Sequence, residues 1–249
     1  MKKICFLAAC CLAMCLSAYS IDKGIENGHE WVDLGLPSGT KWATCNVGAS
    51  NSQEYGNYYA WGEVTTKSIY NWSTCKYSSS NGQLTKYIES RSGRHGFADG
   101  KMVLELEDDA AHFNWGGKWR MPTKAQQDEL CVLCYWVWTE NYNGSGVKGY
   151  IVYKAKAEAD KGKNDGQTPS SSYSLSDAHI FLPAAGFRYN GDLGYAGSYG
   201  YYWSSSLYTD YPNYAWSVSF DSGNVYDDRY YGCDYFFYGQ PVRAVIPGE

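Results

Sequence analysis

Apolar positions in this chain occur in one long run and many short ones. The long run, residues 4–16, follows the basic start Met1-Lys2-Lys3 and ends at the small-residue exit Ala18-Tyr19-Ser20. Its charge, length and exit match a secretory signal over 1–20. It falls short of the ~20 residues that a bilayer core requires. A lipid anchor at Cys15, within Leu12-Ala13-Met14-Cys15, is the alternative to cleavage near Ser20. Residues 21–30 are polar and read as a short tether, and residues 31–249 as a single domain.

Within that domain the pattern alternates between strand and helix periods. Trp31-Val32-Asp33-Leu34-Gly35-Leu36, the turn Pro37-Ser38-Gly39-Thr40 and Lys41-Trp42-Ala43-Thr44-Cys45 read as a β-hairpin. A further strand is expected at 58–61, and 77–100 carries no period and reads as loop. Leu106, Ala110 and Phe113 recur at helical spacing, predicting a helix over 105–114 that Trp115-Gly116-Gly117 stops. A second helix opens at Pro122-Thr123, with Thr123 as N-cap and Gln126 completing a capping box. Its buried stripe is Leu130, Leu133 and Cys134. Strands follow at 136–138, 149–153 and 180–182, with a polar, mobile surface loop expected over 154–174. From Gly186 onward the chain reads as short strands and glycine turns. Two helices within a framework of strands make an α+β domain.

Composition adds a function class. Charged residues are 19% of the chain, aromatics 17%, and the net charge is −5. No basic patch exists to release counterions from phosphates, which argues against nucleic acid as partner. Of nine cysteines, Cys5, Cys10, Cys11 and Cys15 lie in the signal, leaving the odd set Cys45, Cys75, Cys131, Cys134 and Cys233. Cys131 and Cys134 read as core residues rather than a redox or zinc pair, with Cys45 as a plausible disulfide partner for one of them. His29, His95, His112 and His179 are scattered along the chain, and no catalytic residue is assigned.

The stretch 189–238 concentrates Tyr, Asp, Asn and Ser. Tyr is a stiff contact surface with one hydroxyl, while Ser, Asn, Asp and Gly supply adaptable polar contacts, the vocabulary of antibody loops. The candidate ligand-contacting set is Tyr208, Asp210, Tyr211, Asn213, Tyr214, Ser217, Ser219, Asp221, Tyr226, Asp227, Asp228, Arg229, Tyr230, Tyr231, Asp234 and Tyr235. Alternation over 214–221 assigns Trp216, Val218 and Phe220 to the core side and Ser217, Ser219 and Asp221 to solvent. No cofactor is expected. Calcium held by Asp221, Asp227, Asp228 and Asp234 is the alternative, but no loop shows the spacing its several oxygen ligands need.

Trp119-Arg120-Met121-Pro122-Thr123-Lys124-Ala125-Gln126 resembles the helix-opening signature of the formylglycine-generating branch of the C-type-lectin-like fold. More of the chain resembles the Fibrobacter succinogenes major paralogous domain family. The shared segments are residues 31–43, 58–63, Leu182-Pro183-Ala184-Ala185-Gly186, Gly200-Tyr201-Tyr202-Trp203-Ser204-Ser205 and Pro241-Val242-Arg243-Ala244-Val245. The resemblance implies a secreted or surface-displayed protein with a C-type-lectin-like fold, two helices and mostly antiparallel short strands. The C-terminal third resembles the variable region of retroelement-diversified proteins, because residues 226–239 contain only types reachable from an Asn codon by changing adenines. A binding protein for an extracellular protein or glycan is therefore expected. A structural surface or pilus-tip component is the alternative. A formylglycine-generating enzyme would resemble a redox catalyst with paired cysteines near the C-terminal end, where this chain has Cys233 alone.

Overall fold

The computed structural model of the protein describes residues 22–79, 83–89, 98–164, 166–211, 213–226 and 233–248. Strands β1 (Lys23–Glu26) and β2 (His29–Asp33) pair antiparallel across Asn27-Gly28. Both turn residues take positive φ, 45° and 84°, the conformation for which hairpins favour Asn-Gly. Most of the expected tether is therefore strand. It is polar because β1 is an edge, and it is fastened from outside: Trp119 Nε1 donates to the Glu26 carbonyl at 2.9 Å. β3 (Lys41–Ala43) adds to β2 as the hairpin pattern predicts.

The segment 58–61 forms an isolated bridge, Tyr59 opposite Gln240, instead of a full strand. The first helix is shorter than its apolar spacing suggests. Residues 106–108 make a 3-10 turn, and α1 (Ala110–Trp115) begins only after Asp109, whose carboxylate accepts from His112 N at 2.9 Å. The second helix, α2 (Lys124–Leu133), starts where predicted, with the Thr123–Gln126 capping box formed. Leu130 and Cys134 are buried and Leu133 half-buried, and Cys134 already belongs to the next strand.

Strands β4 (Cys134–Thr139), β5 (Gly149–Lys154) and β6 (His179–Pro183) form an antiparallel meander, with Trp136 opposite Val152 and Val152 opposite Ile180. The connection from β5 to β6, expected to be a mobile surface loop, is wound around a fixed centre. Asp160 is fully buried and accepts from Ser170 N and Tyr173 Oη at 2.5 and 2.8 Å. Burial raises this carboxyl's pKa, but the hydrogen bonds outweigh that and hold it below the ordinary range.

The hairpin β7 (Phe187–Tyr189) and β8 (Asp192–Gly194) precedes the C-terminal sheet. There β10 (Tyr214–Phe220) is central, flanked by β9 (Gly200–Leu207), β11 (Val225–Tyr226) and β12 (Cys233–Tyr235). Finally β13 (Val245–Ile246) returns to pair with β3. The described residues thus form an α+β structure of two helices and mostly antiparallel strands in several small sheets.

Two cores flank the C-terminal sheet. Trp61, Trp119, Trp203, Ala215 and Phe236 belong to one. Trp42, Trp136, Tyr150, Tyr202, Val218 and Phe220 belong to the other. No disulfide links Cys45 to Cys131 or Cys134. Burial pushes the thiols of Cys45 and Cys134 up in pKa, as for cysteines that serve as small apolar residues. Among the described residues no helix is long and apolar enough to cross a membrane.

Candidate functional site

Because β10 runs between two cores, its faces are not divided as the alternation predicts. Val218 and Phe220 are buried as expected, at 5% and 0% exposure, but Ser217 and Ser219 are buried too, at 5% and 3%. Trp216 is only half-buried, with the Lys124 ammonium 4.6 Å from its ring centre. Alternation separates two faces correctly; it does not say that the serine face meets water. Ala215, on the same face as the serines, joins the Trp61–Trp203 core.

Register carries this face into β12. Ala215 lies opposite Asp234, whose carboxylate receives Gln240 Nε2 at 2.5 Å and Ser217 Oγ at 3.5 Å. Burial pushes the Asp234 carboxyl up to about 7 despite these two donors. Ser217 and Ser219 are thus interior groups, and their assignment to a ligand-contacting surface is corrected; Asp234 is half-buried, with its carboxylate turned to Ser217 and Gln240. Asp221 is half-buried and organises its own turn. One oxygen accepts from Gly223 N and Asn224 N, the other from Tyr226 Oη at 2.7 Å.

The opposite face of the same strands behaves as the composition suggests. Tyr214 and Tyr235 lie opposite each other with ring centres 4.2 Å apart. From this pair a continuous array of rings runs in two directions. One arm passes through Tyr211 and Tyr208 to Trp216, with separations of 5.6, 5.9 and 4.5 Å. The other passes from Tyr235 to Tyr238, Tyr189 and Phe237, and on through Phe187 to Tyr195 and Tyr201. Tyr211, Tyr195 and Tyr189 are 60%, 59% and 47% exposed. Their hydroxyls make no hydrogen bond to any described residue, unlike those of buried Tyr58, Tyr70, Tyr87 and Tyr202. Asp210 is exposed beside this array, at hydrogen-bonding distance from Tyr208 Oη, and Asn213 is half-buried.

Of the sequence-assigned set, the structure brings together Tyr208, Asp210, Tyr211, Tyr214 and Tyr235. Asp227, Asp228, Arg229, Tyr230 and Tyr231 lie outside the described residues, as does His95. The site-specific assignment missed Tyr189, Tyr195 and Tyr238, which come from the β7–β8 hairpin region and from beyond β12. Their signal was present as tyrosines in the same Tyr-rich stretch. Trp72, which packs on Tyr235 and Phe237 at 5.9 and 4.8 Å, comes from a distant segment and had no such signal.

Other chemistry can be weighed directly. Glu105, Glu107 and Asp108 are close enough to share a cation. Their oxygens, however, already face Lys76, Lys86 and Lys101 at 2.5–3.0 Å. Burial alone would raise the Asp108 carboxyl, but bonds from Lys76, Lys86, Tyr77 and Tyr87 hold it below the usual range. The cluster is an ion-pair network whose charge is met by lysine. Burial pushes the Cys233 thiol up to about 11, so it is not a ready thiolate.

Residues 156–243 match the model of a family described as Domain of unknown function (DUF8237). This span begins in the loop around Asp160 and ends at Arg243, so it contains the whole aromatic array except Trp72. No curated protein and no solved structure matches the chain.

Proposed function

We propose that the protein is a secreted or surface-displayed binding protein whose tyrosine array contacts a protein or glycan ligand. One observation carries the reading. Tyr189, Tyr195 and Tyr211 are held by neighbouring rings yet keep their faces exposed and their hydroxyls unengaged by any described residue. Rings fixed in this way lose little rotamer freedom on binding, so contact area converts to affinity with a small ordering cost. The array lies on strands and tight turns, the kind of support that a C-type-lectin-like fold would supply for this use.

The test compares wild type with the triple variant Tyr189→Ala, Tyr195→Ala and Tyr211→Ala on a glycan array and on a panel of extracellular proteins. Loss of ligand with an unchanged melting temperature supports the proposal; full retention by the triple variant sinks it. Self-association that the same substitutions abolish, with no foreign ligand, would point instead to an assembly interface. Diversification is a separate claim. It predicts a template repeat near the gene that differs almost only at adenines within the codons of the array.

A further inference from the structure

A cleft of about 630 Å³ lies between the β1–β2 hairpin, the 44–52 loop and the start of β6, lined by none of the array's tyrosines. Lys23, His29, Glu30, Cys45, Tyr142 and His179 line it. Next to its wall is Arg243, only 1% exposed. Its Nε donates to Asn46 Oδ1 at 3.0 Å, Nη1 to the Ala43 carbonyl at 3.3 Å and Nη2 to the Phe181 carbonyl at 2.8 Å. All three acceptors are neutral, and the ionisable groups acting on it are the weak acids Tyr202, Cys45 and Tyr142.

Arginine keeps its proton in proteins. A full positive charge is therefore buried here without a carboxylate partner among the described residues. Such burial is costly unless a counter-charge is near. The groups that link Arg243 to the cleft are themselves cleft walls: Cys45, Tyr142 and Phe181. Low-dielectric walls of this kind focus a charge's field into the adjacent opening.

The β1–β2 register sets the charges at the mouth. Lys23 lies opposite Val32 and Ile25 opposite Glu30, which puts Lys23 and Glu30 on one face of the hairpin. Both are exposed, and neither makes an ion pair with a described residue. The imidazoles add flat, neutral surface. His29 stacks on Trp115 with ring centres 3.9 Å apart. His179 is fixed between the Asp177 carbonyl, 2.8 Å from Nδ1, and Tyr142 Oη, 2.9 Å from Nε2. The carbonyl can only accept, so Nδ1 carries the proton and Tyr142 donates to Nε2.

We propose that this cleft binds a small organic oxyanion, whose negative group balances Lys23 and Arg243 and whose hydroxyl or ammonium donors meet Glu30. It is a second site, separate in lining from the tyrosine array and not dependent on the array's role.

The probes are inorganic phosphate and, separately, succinate, titrated into the mature chain while the histidine ring protons are followed by NMR. His29 and His179 should shift saturably and His112 should not. Lys23→Ala, an exposed substitution that leaves the fold intact, should weaken binding about tenfold. Glu30→Gln should strengthen binding of succinate, which has no donor to offer Glu30 and meets it only as a like charge. Saturation by one probe alone assigns the oxyanion to phosphate or carboxylate chemistry. Linear, non-saturating shifts with both probes, equal shifts at His112, or a Lys23→Ala protein that binds as wild type would each overturn the proposal.

Discussion

Among the described tyrosines two sets stand apart that sequence composition cannot separate. Tyr58, Tyr70, Tyr87 and Tyr202 are buried, and each hydroxyl has a fixed acceptor: the carbonyls of Ala185, Tyr58 and Pro183, or the Asp108 carboxylate, at 2.6–2.7 Å. Tyr189, Tyr195 and Tyr211 keep ring contacts but no such acceptor among the described residues. A buried hydroxyl must be satisfied or it costs free energy, whereas an exposed one is satisfied by water and can exchange that water for a ligand. Between these two sets the difference lies in the hydroxyl rather than in the ring.

That distinction can be broken in order of expected effect. Trp203→Ala, in the core beside the buried tyrosines, should cost about 3–5 kcal/mol, read as a large drop in the denaturant midpoint; a small drop would mean that the sheet is not clamped between two cores. Asp234→Asn should change how stability responds to pH. Burial pushes the folded carboxyl up to about 7 from its ordinary 3.8, so between these values the native state holds a proton that the unfolded chain has released. Wild-type stability should therefore be fully supported below about pH 4 and fall as pH rises toward 7. Asp234→Asn should flatten that slope, and parallel curves for the two proteins would place the side chain in water.

Tyr87→Phe keeps the ring and removes one donor to Asp108, at an expected cost of about 1–3 kcal/mol by thermal or denaturant unfolding. Thr123→Ala removes the α2 cap and should cost about 1 kcal/mol. At the small end, Tyr211→Ala should move stability by no more than about 0.5 kcal/mol. A loss comparable with that of Trp203→Ala would put Tyr211 among the structural rings.

The parts of the fold legible in the sequence are those decided locally. The Thr123–Gln126 capping box and the β4–β6 strands each carry their signal within a few residues, and the structure has them where the pattern puts them. Long-range packing decided the rest. Lys23–Glu26 is polar yet strand because the Asn27-Gly28 turn pairs it with β2, and Trp119, from a distant segment, holds its backbone. Ser217 and Ser219 are interior because a second core covers the face that alternation left to solvent. Asp160 turns a polar insertion into an anchored loop through Ser170 and Tyr173. At the candidate site, the tyrosine-rich stretch was visible as composition, but which rings face outward depended on the β10–β12 register and on the hairpin β7–β8. The cleft beside Arg243 had no sequence signal, because its walls come from β1–β2, the 44–52 loop and β6.

The pairing of β13 with β3 also governs the order in which the chain can fold. Lys41–Ala43 finds one of its two neighbours only in Val245–Ile246, so the first sheet waits for residues far along the chain. Contacts of such long sequence separation form slowly. A nascent chain keeps this sheet open at one edge until Val245–Ile246 has been made, and deletion of those two residues would leave that edge unpaired for good.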